Sequence, residues 1–229
     1  MSVLLLTLKA YSSHNQRFRY FPSNAKRAKE YLNRLIFDMN SHSWPSCYEH
    51  WPNLSLTIDA VSVRPIRWSD RESIRVWRNQ QLEVLRQQDP ISTEQQDLYF
   101  SQTIKPLMSM THPSQFLFGI EFDEQLIGYG GLTNVDWDAQ RAELSFLVDT
   151  KILNTPTYEE IMLTFIKIIA EFAKKKFGFN QIFTETYTQR VGHIEILELA
   201  GFEHETFLAD RADINGKSVG SQIHYLKLV

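Results

Sequence analysis

Between Leu126 and Phe202 the order of apolar runs leaves few folds open. LIGYGGLTNV (126–135) and RAELSFLVD (141–149) are apolar runs of strand length joined by the polar Asp136-Trp137-Asp138-Ala139-Gln140, which predicts an antiparallel hairpin. A helical pattern follows over 156–177, then the strand QIFTETY (181–187) and a short helix closed by Ala200-Gly201-Phe202. A strand, a crossover helix of about twenty residues and a second strand form a βαβ unit, so 141–149 and 181–187 should run parallel. Their shared end is where a site is expected.

The flanking segments supply the rest of a sheet. VSVRPI, from Val61, reads as a short strand whose arginine and proline favour an edge. Ser69-Asp70-Arg71-Glu72 predicts a capped helix to about Asn79, and Ser92-Thr93-Glu94-Gln95 a second, stopped before Pro106. QFLFGIEFD (115–123) is a buried strand, and strands at about 203–211 and 218–228 flank the hairpin signal Asn215-Gly216. Over 156–177, Ile161, Phe165, Ile168, Phe172 and Ala173 recur at three and four, which marks that helix as core.

Residues 1–60 differ. The first 34 carry seven basic residues (Lys9, Arg17, Arg19, Lys26, Arg27, Lys29, Arg34) against Glu30, and Asn24 to Met39 has helical spacing. The division expected is an N-terminal helical and loop extension, 1–60, packing on a main domain, 61–229, with a docking surface for a partner or acidic ligand as the other reading of the basic stretch.

A net charge of -3 argues against nucleic acid as partner, and Cys47, alone, excludes an intramolecular disulfide and suits a reducing cytoplasm. Val3 to Leu6 is too short an apolar run for a signal or a span, so a cytoplasmic chain without membrane insertion is expected. No spacing of Cys, His, Asp and Glu suggests a metal site. A homodimer is left open.

The element order, with LIGYGGL, RAELSFLVD and ILELAGFE, resembles the GNAT superfamily of acyl-CoA-dependent N-acetyltransferases over roughly 61–228. FTETYTQRVGHIEILELAGFE and INGKSVGSQIH are similar to GNAT-like proteins of bacterial surface-polysaccharide and nucleotide-sugar synthesis. The resemblance implies an α+β (α/β) fold with a mixed central sheet of about six to seven strands and flanking helices. It also implies acetyl-CoA as co-substrate and a small-molecule amine acceptor, an amino sugar carried on a nucleotide. Trp77, Arg78, Asn79 and the 86–91 loop become acceptor-side candidates on the same ground; a solvated helix end with Trp77 in the core is the alternative.

Acetyl transfer from a thioester to an amine needs an unprotonated nitrogen, a polarised carbonyl and a held donor. Alternation along 141–149 puts Glu143, Ser145, Leu147 and Asp149 on one face, and a strand carboxylate must find solvent, a partner or a pocket. The resemblance puts this carboxylate at the pocket and makes Glu143 the first candidate base, with a salt bridge to Arg141 or Arg190 on a solvated face as the other reading. His193 and His224 are further titratable candidates. His224 is also an acceptor-side candidate, and a satisfied structural histidine is its alternative.

By the same resemblance, Phe146, Leu147 and Val148 would present backbone groups to the donor, and Thr157, Tyr158 and Arg190 would meet its phosphates. Arg190 could instead pair with Glu185 or Glu143. Two features depart from the superfamily. No glycine lies between Asp149 and Ile161, where its pyrophosphate loop is glycine-rich, although Thr157 and Glu160 could form a capping box; and Leu197 stands where a tyrosine often protonates the leaving thiolate. Tyr187, Tyr158 or water would substitute, or the thiolate would leave unaided, since a thiol is a tolerable leaving group near neutral pH. Acetylation of a protein N-terminus or lysine, and a non-catalytic module with impaired acyl-CoA binding, are the rival expectations.

Overall fold

The computed structural model describes residues 44–87, 89–153, 155–214 and 216–228. The helix expected over Asn24 to Met39 and the basic stretch lie outside them. A compact unit begins at Trp44. Residues 44–60, grouped with the extension on sequence grounds, belong with the sheet: Tyr48 and Leu54 are each 1% exposed, and the Tyr48 hydroxyl accepts the Leu117 amide at 2.7 Å.

In chain order the elements are β1 (Leu56–Ile58), β2 (Val61–Pro65), α1 (Arg71–Gln80), α2 (Thr93–Tyr99), β3 (Phe116–Phe122), β4 (Gln125–Asp136), β5 (Arg141–Val148), α3 (Pro156–Lys175), β6 (Gln181–Tyr187), α4 (Val191–Leu199), β7 (Glu203–Ile214) and β8 (Lys217–Lys227). They form one eight-stranded mixed sheet in the order β1-β2-β3-β4-β5-β6-β8-β7. The expected six to seven strands become eight because three-residue β1 is too short to leave a pattern. β1 also moves β2 off the edge. It pairs with Val61 to Val63 and stops there, so Pro65, which has no amide to offer, lies beyond its reach.

Alternation along the strands divides the core in two. Phe116, Phe118, Ile120, Leu144, Phe146 and Ile182 face Ile161, Phe165, Ile168 and Phe172 of α3. Leu117, Tyr129 and Leu147 face the other way, against Ile74 and Trp77 of α1 and Phe100 and Ile104 beyond α2.

Three local expectations change, each for an identifiable reason. The cap at Ser69 to Glu72 is replaced by a 3-10 turn, Trp68–Asp70. Asp70 has other partners: it binds the buried Arg64 guanidinium at 2.6 and 3.0 Å and accepts the Arg67 amide at 2.7 Å. The helix expected to end before Pro106 runs on: α2 widens into a π-helical turn, Phe100–Ile104, and Pro106 falls in the first turn of Lys105–Leu107, where no amide is required. The Thr157 and Glu160 capping box is absent, because the N-cap is Thr155. Its hydroxyl donates to the Ile152 carbonyl at 2.7 Å and gives the helix no side-chain cap.

Candidate active site

β5 and β6 run parallel, but they pair only at Arg141↔Gln181, Ala142↔Ile182 and Glu143↔Phe183. Beyond Glu143 the strands diverge. β5 stays bonded to β4, so its outer edge opens rather than the whole strand. Asp149 donates its amide to Ile127 in β4, and the Val148 carbonyl accepts Gln81 Nε2 at 2.8 Å on the opposite side. Alternation then turns the amides of Phe146 and Val148 toward the gap and that of Leu147 toward β4. Leu147 contributes its side chain to the smaller core instead.

Glu143 lies at the fork, 7% exposed. Neither Arg141 nor Arg190 is its partner. Oε1 accepts Arg86 Nη2 at 3.0 Å and Oε2 accepts Asn134 Nδ2 at 2.6 Å. A carboxylate has about four acceptor positions, so Glu143 keeps free lone pairs. Glu185, the neighbouring carboxylate, does not. It accepts Arg211 twice, Ser221 Oγ and Arg86 Nη2, at 2.7 to 3.1 Å. The Arg211 hydrogen bond, with help from Ser221 and Arg86, holds its carboxyl below the usual range. Glu185 is an anchor for two arginines, whereas Glu143 keeps acceptor positions unfilled among the described residues and lines the slot.

His193 stacks on Phe146 with centroids 4.2 Å apart. Burial, and then Arg190 and His224, push its pKa well below 6.5, and its buried Nδ1 has no hydrogen-bond partner. An imidazole that resists protonation in this way is a weak base. The unfolded chain takes up that proton as pH falls below 6.5 while the folded chain does not, so stability is present above that pH and is lost below it. We expect the urea midpoint to fall between pH 7.5 and 5.5, and to fall less in His193→Phe, which keeps the ring stack; an equal fall would assign the loss to other groups.

His224 is fully buried on the face that carries α4, paired with Thr184 in β6 and opposite His204 in β7. Glu198 is 3.8 Å away, too far for a hydrogen bond. It lines none of the cavities at the cleft. Trp77 is 5% exposed in the smaller core, and Asn79 clips the following loop, holding both the amide and the carbonyl of Ile91 at 2.8 and 2.9 Å. Of the three acceptor-side candidates on α1, Arg78 alone reaches the cleft.

Three adjoining cavities mark that cleft. A 210 Å³ slot is lined by Arg78, Arg86, Asn134, Glu143, Arg190 and His193, among others. A 410 Å³ chamber shares Arg78, Thr133 and Ser145 with it, and a polar 630 Å³ cavity shares Leu85, Arg86 and Glu185 and reaches Tyr187, Arg211 and Asp213. Arg190 has no carboxylate partner among the described residues. Burial lowers its pKa, with Tyr158 acting in the opposite sense. Burial likewise raises that of Tyr158, which keeps the phenol protonated. Leu197 is fully buried. Among the described residues no group of three or more His, Cys, Asp or Glu could hold a metal, and no helix is long and apolar enough to cross a membrane.

Sequence reasoning did not find Gln81, Asn134 or Ser145. Ser145 carried one signal, a polar residue two positions after Glu143, and it is exposed in the middle of a central strand because the cleft opens above it.

A family model described as acetyltransferase (GNAT) domain matches residues 63–222. No curated protein matches the chain. Among solved structures, spermidine N-acetyltransferase from Vibrio cholerae in complex with CoA and spermine superposes with a TM-score of 0.65 at 14% identity, over 75% of this chain and 97% of that one. Its dodecameric form in an intermediate state gives 0.63 at 16%, over 75% and 95%. A complex of the same organism's spermidine/spermine N-acetyltransferase SpeG with manganese ions gives 0.60 at 16%, over 74% and 93%. These identities speak for the fold. With more than half its length matched by the family model and the diverging strands in place, the chain belongs to the acetyltransferase (GNAT) family and is an acyltransferase.

Proposed function

We propose that the chain moves acetyl from acetyl-CoA to the amine of a small acceptor that also carries negative charge, with Glu143 taking the proton. The observation that carries this reading is the end of β5–β6 pairing at Glu143, the carboxylate with unused lone pairs. The cleft suits the donor: the amides of Phe146 and Val148 face the gap, the first turn of α3 at Thr157 and Tyr158 has no side-chain cap, and Arg190, without a carboxylate partner among the described residues, offers its guanidinium. The donor supplies the acetyl group as a thioester.

The chain's own part is then to hold the acceptor amine beside Glu143 and to receive its proton directly or through water, with Leu85 and Arg86 lining the cleft. Tyr158 or Tyr187 stands in for the absent tyrosine at Leu197.

With Arg190 given to the donor, Arg78 and Arg86 balance Glu143 and Glu185 in the slot lining, but Arg86 is held by both glutamates. Arg78, without a carboxylate partner among the described residues, therefore favours an acid-bearing amine, of which an amino sugar on a nucleotide is one and a polyamine is not. A second reading, a polyamine acceptor, rests on Glu83, Glu185 and Asp213 around the polar cavity, although Arg86 and Arg211 stand beside them. The spermidine in the names of the structural neighbours is consistent with that reading.

Thiol release at saturating acetyl-CoA, measured against amino acids, amino-sugar nucleotides and spermidine, tests the choice. We expect turnover with acid-bearing amines at least tenfold above spermidine in kcat/KM; the reverse order would establish the polyamine reading.

A further inference from the structure

The 410 Å³ chamber is not needed for the chemistry just described, yet it adjoins the place where that chemistry would occur. Its walls are mainly apolar, with Ile66, Ile74, Phe100, Leu117 and Tyr129 among them, and Gln95, Gln96 and Gln115 line it as well. An open, mainly apolar space of several hundred Å³ with a few convergent polar groups has the dimensions of a ligand site. Ser145 forms the boundary with the slot, and Ser145 follows Glu143 by two strand residues, a rise of about 7 Å. An amine held at Glu143 therefore places a group only a few bonds away inside the chamber.

Arg78 stands at the same boundary. Its Nη1 donates to the Tyr129 hydroxyl at 2.7 Å and its Nε to Gln87 at 2.8 Å. Both partners are neutral. Nη2 has no hydrogen bond among the described residues, and none of their carboxylates pairs with Arg78. A guanidinium fixed by neutral groups beside an apolar space is suited to a planar carboxylate.

We infer that the acceptor is an apolar α-amino acid: its amine lies at Glu143, its carboxylate at Arg78, and its aliphatic or aromatic side chain in the chamber. The inference rests on the transferase reading, and its test separates the two. Acetylation of leucine, phenylalanine, alanine, glycine, spermidine and an amino-sugar nucleotide is followed by thiol release, with acetyl-CoA affinity measured independently by calorimetry. One methylene in an apolar pocket discriminates by about tenfold or more, so kcat/KM for leucine or phenylalanine is expected to exceed that for alanine by at least tenfold, and that for glycine by more.

Ile91→Trp and Gln115→Trp each place a larger side chain at the chamber wall from a partly exposed position. Either should raise KM for leucine at least tenfold while acetyl-CoA still binds, which reports an intact fold. Arg78→Lys keeps the charge but loses the planar fork, and should raise KM for leucine more than for its amide, leucinamide. Donor binding with turnover that ignores side-chain size, or that prefers spermidine or the amino-sugar nucleotide, would overturn this inference and leave the transferase intact. Absence of donor binding would overturn both.

Discussion

Glu143→Gln is expected to lower kcat by about 10²- to 10⁴-fold at saturating acetyl-CoA, the range lost with a positioned acid or base. The substitution is chosen for its small structural cost. A glutamine oxygen can still accept Asn134 Nδ2 or Arg86 Nη2, which hold the carboxylate now at 2.6 and 3.0 Å, and the side-chain shape is unchanged. What disappears is the ability to accept a proton. Acetyl-CoA affinity should therefore stay within about threefold, a shift of less than 1 kcal/mol. An unchanged turnover rate would exclude Glu143 from the role. Glu185 would not become its substitute, because its four acceptor positions are already filled by two arginines and a serine.

The second large effect is on stability. Gly131 has φ +145, and a Cβ added there would meet the Phe116 carbonyl oxygen at 2.1 Å. That contact is backbone, in a central strand bonded on both sides, so no flexible side chain can give way. Gly131→Ala should cost about 3 kcal/mol or more, of the size reserved for strain at a special backbone conformation. For a chain of this length that is a fall in Tm of roughly 6 to 12 °C. A variant melting within about 2 °C of the parent would show that β4 can shift at this point. The position matters to function because Gly131 lies opposite Ser145, under the open part of the cleft.

The hairpin and the βαβ unit were legible because their signals are long. Strand 181–187 is found at Gln181–Tyr187 and the crossover helix at Pro156–Lys175, since a twenty-residue apolar period and two strand-length runs leave little choice of register. Glu143 could be placed on a face by alternation alone. Alternation cannot say what lies above that face, so Arg86, which reaches it from a loop 57 positions away, was not assignable to it.

The same limit explains Trp77 and His224. Helical and strand periods identify neighbours along an element, but only the packing of α1 and α4 on opposite faces decides which side chains meet the cleft. The boundary at residue 61 followed from composition and from where the family pattern begins, and neither registers that the Tyr48 ring packs beside Phe116 and Phe118.

If the gap between β5 and β6 receives the donor, amide hydrogen exchange followed residue by residue with and without acetyl-CoA will be at least tenfold slower at Phe146 and Val148 when the donor is bound, with little change at Leu147, whose amide already faces β4. Donor binding that leaves Phe146 and Val148 exchanging at their free rates, or no binding at millimolar acetyl-CoA, would contradict that placement.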